Sequence, residues 1–229
     1  MSSNRINAIL RRIRPGTARI TLIALLAAIP APGADSPAPA DAQQHLLTGR
    51  YTEAAALARQ ALSERPRGEE WHLILIEALM TTGRYAEAHA ALTNAMAAEN
   101  RSVCLRWAAR DVLAMNGDPA RAAAMVREIT ELVAAQPWAY RDPRDLVVFG
   151  SAALLAGADP KRVLERIFDT IKRATPLQRE AFLAAGELAL DKHDYALAAR
   201  TFREGLEKLT DDPDLHYGLA RAYAPSQPT

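Results

Sequence analysis

Along the chain, apolar runs alternate with short polar punctuation on a fixed schedule. GRYTEAAALARQAL occupies residues 49–62 and GRYAEAHAALTNAM residues 83–96, a return after 34 residues. GDPARAAAMVREI opens at Gly117 on the same interval. Two weaker copies follow, Ala158-Asp159-Pro160-Lys161-Arg162-Val163 and His193-Asp194-Tyr195-Ala196-Leu197-Ala198. An apolar, helix-like segment lies before and after each copy, so each unit reads as helix, turn, helix.

The turn residues have physical reasons. Gly49, Gly83 and Gly117 stand where the first helix of each pair closes, a place that needs a left-handed residue. Tyr51, Tyr85 and Tyr195 start the second helix and are expected to fill the wedge behind the turn. Ala54, Ala88, Ala122 and Ala198 sit three residues further on, where a methyl lets paired helices approach closely. Ala61, Ala95, Ile129 and Gly205 continue that core, and Pro66 stops the first pair. The interval then stretches to 41 residues between Asp118 and Asp159 and to 35 between Asp159 and Asp194. The excess is expected in QPWAYRDPR, residues 136–144, a loop that Pro137 and Pro143 keep from being helical. Trp138 and Tyr140 on that loop are expected to pack back on the stack. One more helix, about residues 213–224, carries a stripe of Leu215, Leu219 and Ala222.

Composition supports helices: 49% of residues are apolar but only 6% aromatic, and alanine is common. A net charge of +1 conceals an asymmetry. Residues 1–34 carry five arginines and no acid, which leaves a mildly acidic remainder. Such a body lacks the basic face that nucleic acid requires. The single cysteine, Cys104, has no partner for an internal disulfide and reads as a small buried apolar residue. His45, His72, His89, His193 and His216 form no H-E-x-x-H pair, and neither a Walker loop nor G-x-S-x-G occurs. Glu69-Glu70 and Asp211-Asp212 are adjacent, so they point in different directions on a helix and read as solvated helix starts. No catalytic residue, metal or cofactor is expected.

The first residues read as an address. A basic start, the apolar run ITLIALLAAI and small residues beyond Pro30 make residues 1–34 a secretory signal peptide. The apolar run is about half of what a bilayer-spanning helix needs, so no membrane span is expected after cleavage. Export to the periplasm or cell envelope follows, with a retained signal anchor or an organellar transit peptide as alternatives. Residues 35–40 read as a Pro/Ala linker and residues 41–224 as the folded body, with Asp41 at its first N-cap. Residues 225–229 read as a disordered tail.

The 34-residue unit, with its glycine, aromatic and alanine positions, resembles the tetratricopeptide repeat (TPR) family over roughly residues 40–224. The resemblance implies an all-α, right-handed superhelical solenoid of about five antiparallel helix pairs plus a terminal helix. It also implies a non-catalytic scaffold or adaptor that binds proteins in a concave groove lined by the first helix of each pair. That groove should present Glu70, Leu73 and Glu77, then Cys104, Trp107 and Asp111, then Glu180, Leu183 and Glu187, with Tyr217 and Arg221 extending it. Packing and solvation alone would also produce these residues. An acidic and apolar face suits a protein or peptide with basic and apolar residues. Some TPR domains clamp a chaperone's terminal carboxylate with basic residues; Leu73, Ile74, Cys104 and Ala108 stand at the equivalent places, so that ligand is not expected. More loosely, DLVVFGSAALLAGADPKRVL and the segment from Leu188 onwards look like the N-terminal repeats of longer exported bacterial TPR proteins. The chain would then be the non-catalytic arm of a zinc-peptidase-like protein, truncated or acting in trans. Self-association through the C-terminal helix, around Leu215 and Leu219, is a third reading.

Overall fold

The computed structural model describes residues 38–224. The signal peptide, the first half of the linker and the tail 225–229 lie outside the described residues. Among the described residues there are eleven helices and no strand. They are α1 (Pro39–Leu47), α2 (Tyr51–Glu64), α3 (Glu69–Thr81), α4 (Tyr85–Ala98), α5 (Val103–Met115) and α6 (Pro119–Ala135). There follow α7 (Pro143–Leu155), α8 (residues 160–174), α9 (Arg179–Asp191), α10 (Tyr195–Leu206) and α11 (Pro213–Tyr223). Helices pack in sequence as five pairs, α1 with α2 through α9 with α10, and α11 closes the row. The first helix begins at Pro39 with Ala38 as its cap, two residues ahead of the expected start; Asp41 lies in its first turn instead, where it suits the helix dipole.

One backbone device closes the first helix of every pair. After α1, the Gly49 N–H donates to the Leu46 carbonyl at 3.1 Å and the Arg50 N–H to the His45 carbonyl at 2.8 Å. These two bonds satisfy carbonyls the helix end would leave orphaned, and they need a left-handed residue. Gly49, Gly83 and Gly117 supply φ values of 76°, 73° and 84°. The fourth left-handed residue is Gly157, at φ 84°, and not the expected Ala158. Ala158 is buried and makes the second bond, to Ala153, and Asp159 then caps α8 by accepting from the Lys161 and Arg162 N–H groups. In the fifth turn His193 takes φ 57°, a conformation that costs a side chain with a Cβ.

The excess residues are spread more widely than the sequence suggests. Helices α2 and α4 have 14 residues and α6 has 17. The loop 136–142 has seven residues where 65–68 and 99–102 have four, and the turn 156–159 has four where the other turns have three. Together these account for the 41-residue interval. The 35-residue interval has another cause: α8 runs as α-helix, then π-helix over Leu164–Phe168, then α-helix again. A π turn accommodates one inserted residue. It returns Ile171 to the buried row occupied by Ala61, Ala95 and Ile129.

On the loop, Tyr140 packs as expected: it is buried, and its hydroxyl donates to the Arg101 carbonyl at 3.0 Å. Trp138 does not; it is 65% exposed. Tyr51 and Tyr195 are half-buried against the core, but Tyr85 lies open at the edge. Asp212 also departs from expectation. It is buried, ion-pairs with Arg179 and caps α11 through the Asp214 and Leu215 N–H groups.

A concave groove lined by the first helix of each pair

Helices α3, α5, α7 and α9 are amphipathic in an unusual sense. One stripe of each packs into the stack, while a second, spaced i, i+3, i+4, i+7, faces a shared hollow. The stripes are Glu70, Leu73, Ile74 and Glu77 on α3, and Cys104, Trp107, Ala108 and Asp111 on α5. On α7 they are Arg144, Val147, Val148 and Ser151, and on α9 Glu180, Leu183, Ala184 and Glu187. All sixteen line one cavity of about 800 Å³, which Gln43 of α1 and Met80 of α3 also reach. The structure therefore brings together on one surface all eight of Glu70, Leu73, Glu77, Trp107, Asp111, Glu180, Leu183 and Glu187. Tyr217 and Arg221 lie outside this cavity but adjoin it, since Arg221 pairs with Glu187 at 2.5 Å.

Sequence reasoning misses the α7 row. Its phase is hidden by the 41-residue interval, although counting back from the left-handed Gly157 recovers it. This row changes the electrostatics, because Arg144 is the one cation of the lining. It reaches α3, lying 3.6 Å from Glu69 and 3.7 Å from Glu70. Beside it, the Cys104 thiol donates to the Asp145 carboxylate at 3.5 Å. Burial pushes both groups up, which keeps the thiol protonated and unreactive. On α5, the Arg110 guanidinium stacks 3.9 Å over the Trp107 ring and pairs with Asp111 at 3.0 Å.

Glu77 is the odd member. Its side chain is exposed to the open hollow, yet the protein crowded around that hollow thins the water near it, and this desolvation raises its pKa above the usual carboxylate value. Arg179 opposes the shift; Asp214 and Glu180 add to it. Because the carboxylate still meets groove water, the direction matters more than any energy. The hollow thus has an apolar floor and five carboxylates against one guanidinium. Among the described residues, no group of three or more His, Cys, Asp or Glu is placed to hold a metal ion. No helix among them is long and apolar enough to cross a membrane.

Stacked helix-turn-helix pairs whose first helices line a common concave face define a helical-repeat solenoid, an architecture in which each unit buries its faces against its neighbours. Tetratricopeptide repeat models match residues 45–93 and 183–227. The chain carries tetratricopeptide repeats in these two stretches. Solved structures agree on the fold. A chain of the APC/C hetero-tetramer Cut9–Hcn1 is similar over 83% of this chain, at 16% identity and a TM-score of 0.53. This chain spans 36% of that one. A thermophilic TPR protein of Thermus thermophilus, TTC0263, is similar over 81% of this chain and 98% of its own, at 20% identity and a TM-score of 0.53. No curated protein matches. The repeat is generally a non-catalytic scaffold for protein–protein interaction, and its proteins bind protein partners.

Proposed function

We propose that this chain is a non-catalytic adaptor of the bacterial cell envelope that holds a segment of a protein partner in its concave groove. One observation carries the reading: four stripes from four separate helices converge on a single hollow with an apolar floor and a carboxylate rim. Residues buried for packing alone would not leave Leu73, Trp107, Val148 and Leu183 partly open on the same face. A segment with basic and apolar side chains complements that surface. The envelope setting rests on the basic, then apolar, then small-residue pattern of residues 1–34.

Affinity capture from an envelope extract tests it, with the chain as bait beside a bait carrying Trp107→Ala and Glu77→Lys. The reading expects a partner held by the first and lost by the second, with both baits equally helical by circular dichroism. Equal capture by both would move binding away from the groove, and Trp138 on the exposed loop would be the next place to look.

A further inference from the structure

Five carboxylates rim the groove, and four are already engaged within the chain. Glu70 faces Arg144 at 3.7 Å, Asp111 faces Arg110 at 3.0 Å and Glu187 faces Arg221 at 2.5 Å. Glu180 accepts a hydrogen bond from the Gln178 amide, a neutral partner that leaves its charge in place. Glu77 alone has neither an ion pair nor a hydrogen bond among the described residues. The cation that acts on it, Arg179, is committed elsewhere: its guanidinium pairs with both Asp212 and Asp214. Leu73 and Met80 on the Glu77 helix and Trp107 and Leu183 on neighbouring helices line the same hollow, while Arg179, Asp214 and Glu180 are the charged groups that act on Glu77. An incoming chain therefore meets uncompensated charge at Glu77 and at Glu180, which acts on Glu77 across the hollow, so the two form one negative seat and not a diffuse acidic field.

That difference sets what the groove selects. A lysine or arginine arriving at Glu77 gains an ion pair without breaking one, in a hollow partly shielded from water. A further cation arriving at Glu70, Asp111 or Glu187 has to compete with an arginine already in place, so it gains little. Apolar neighbours on either side cover the floor and shield the new pair.

We propose that the groove selects a partner segment in which a single lysine or arginine is flanked on both sides by apolar side chains, with the cation on Glu77 and the flanks on Leu73, Met80, Trp107 and Leu183. The proposal rests on the groove reading above and deepens it. A polybasic segment, which a uniformly acidic groove would favour, is the wrong ligand here.

Panning random phage-displayed heptapeptides on the purified protein tests this. Enriched peptides are synthesised and titrated against the protein and its Glu77→Gln and Trp107→Ala variants. The expected peptides carry one cation between apolar residues. Glu77→Gln should weaken them about tenfold, as should replacing the peptide's cation with norleucine; the two changes together should cost little more than either. Affinity should also fall as the pH is lowered through the raised pKa of Glu77, and Glu77→Gln should remove that dependence. Enrichment of polybasic or uncharged peptides overturns the proposal, as does a single-cation peptide indifferent to Glu77→Gln. If Trp107→Ala still abolishes binding in those cases, the groove reading stands and only the cation seat falls. If no peptide enriches, or neither variant matters, both fall.

Discussion

The two halves of the solenoid solve the same packing problem differently. In α1 to α6 helices approach through alanine: Ala42, Ala54, Ala58, Ala88 and Ala95 are fully or almost fully buried, with leucine and isoleucine filling between them. In α7 to α11 alanines such as Ala152, Ala153, Ala181, Ala185 and Ala198 are buried too, but large rings are added that seat against bare glycines. All four phenylalanines of the chain, Phe149, Phe168, Phe182 and Phe202, lie in this half and are buried. Each of the last three meets a helical glycine. A Cβ on Gly150 would stand 2.7 Å from the Phe168 ring and one on Gly205 3.1 Å from Phe182, while Cβ atoms on Gly186 and Gly218 would overlap the Phe202 ring from both sides. Small-on-small packing lets the alanine half keep its period of 34, because every unit offers its neighbour the same surface. Ring-into-gap packing ties each unit to one particular neighbour, and from the 17-residue α6 onwards the period, the turn and the helix itself become irregular. Repetition in a solenoid thus persists where the interface is generic.

Single-residue deletions separate the halves most sharply. Removing the exposed Ala90 from α4 turns everything beyond it by about 100°, carrying Leu92 and Ala95 out of the core. The Gly83 turn and the four-residue loop 99–102 leave no slack to compensate. We expect a loss of about 5 kcal/mol, read as a fall in the urea midpoint. Removing the exposed Glu165 from α8 should cost within about 1 kcal/mol. The π turn already contains a surplus residue there, so deletion returns α8 to plain α-helix with Phe168 and Ile171 still facing inward. The weak exposed pair Lys161–Glu165, at 3.9 Å, is lost, together with the long bond from the Thr170 hydroxyl to the Glu165 carbonyl at 3.4 Å. Equal damage from the two deletions would show that the π turn is not a relaxed insertion.

Substitutions inside the two kinds of interface come next. Phe202→Ala should cost about 4 kcal/mol, because the ring is fully buried and its removal opens a cavity. Gly186→Ala should cost about 2 kcal/mol despite alanine's better helix propensity. The Phe202 ring is gripped between Gly186 and Gly218 and has nowhere to retreat from an added methyl. The reverse change in the other half, Ala88→Gly, should cost only about 1 kcal/mol, chiefly as backbone entropy and one lost methyl. Thermal unfolding of the three variants checks the order. A neutral Gly186→Ala would show that the second half also has room to adjust.

What the sequence discloses follows from the same division. The glycine-marked turns set the phase of α3 and α5, and that phase places Glu70, Leu73, Glu77, Trp107 and Asp111 on one face. The α9 row follows from His193, which sits at the same point in the turn as the glycines. Arg144 and its row stay hidden because three separate insertions, in α6, its loop and the fourth turn, blur the count across them. The phenylalanine–glycine contacts have no local signature, since ring and gap lie on different helices. Asp212 reads in sequence as a solvated neighbour of Asp211, but its role depends on Arg179, 33 residues away. Trp138 reads as a packing residue but is exposed, while Tyr140, two residues on, holds the loop through the Arg101 carbonyl, a contact 39 residues away that no local pattern displays.

The smallest effect concerns Glu77, and it links stability to the proposed cation seat. Burial raises its pKa in the folded chain above the ordinary 4.5. A carboxylate with a raised folded pKa binds its proton more tightly folded than unfolded, so ionising it costs stability. That cost is absent below the ordinary value, grows as the pH climbs from there through the raised value, and is complete above it. Glu77→Gln removes the charge while keeping the shape. The variant should therefore match the parent in Tm at pH 4 and exceed it slightly at pH 7, by no more than about 0.5 kcal/mol since the groove is open to water. The groups facing Glu77 from neighbouring helices, Arg179, Glu180 and Asp214, act in opposite directions, so each needs its own neutral variant as a control. A variant less stable than the parent at pH 7 would mean that Arg179 outweighs burial and that Glu77 already has its cation. A variant more stable at pH 7 and weaker in peptide binding would mark Glu77 as a carboxylate kept at a cost to the fold for a positive charge that the partner brings.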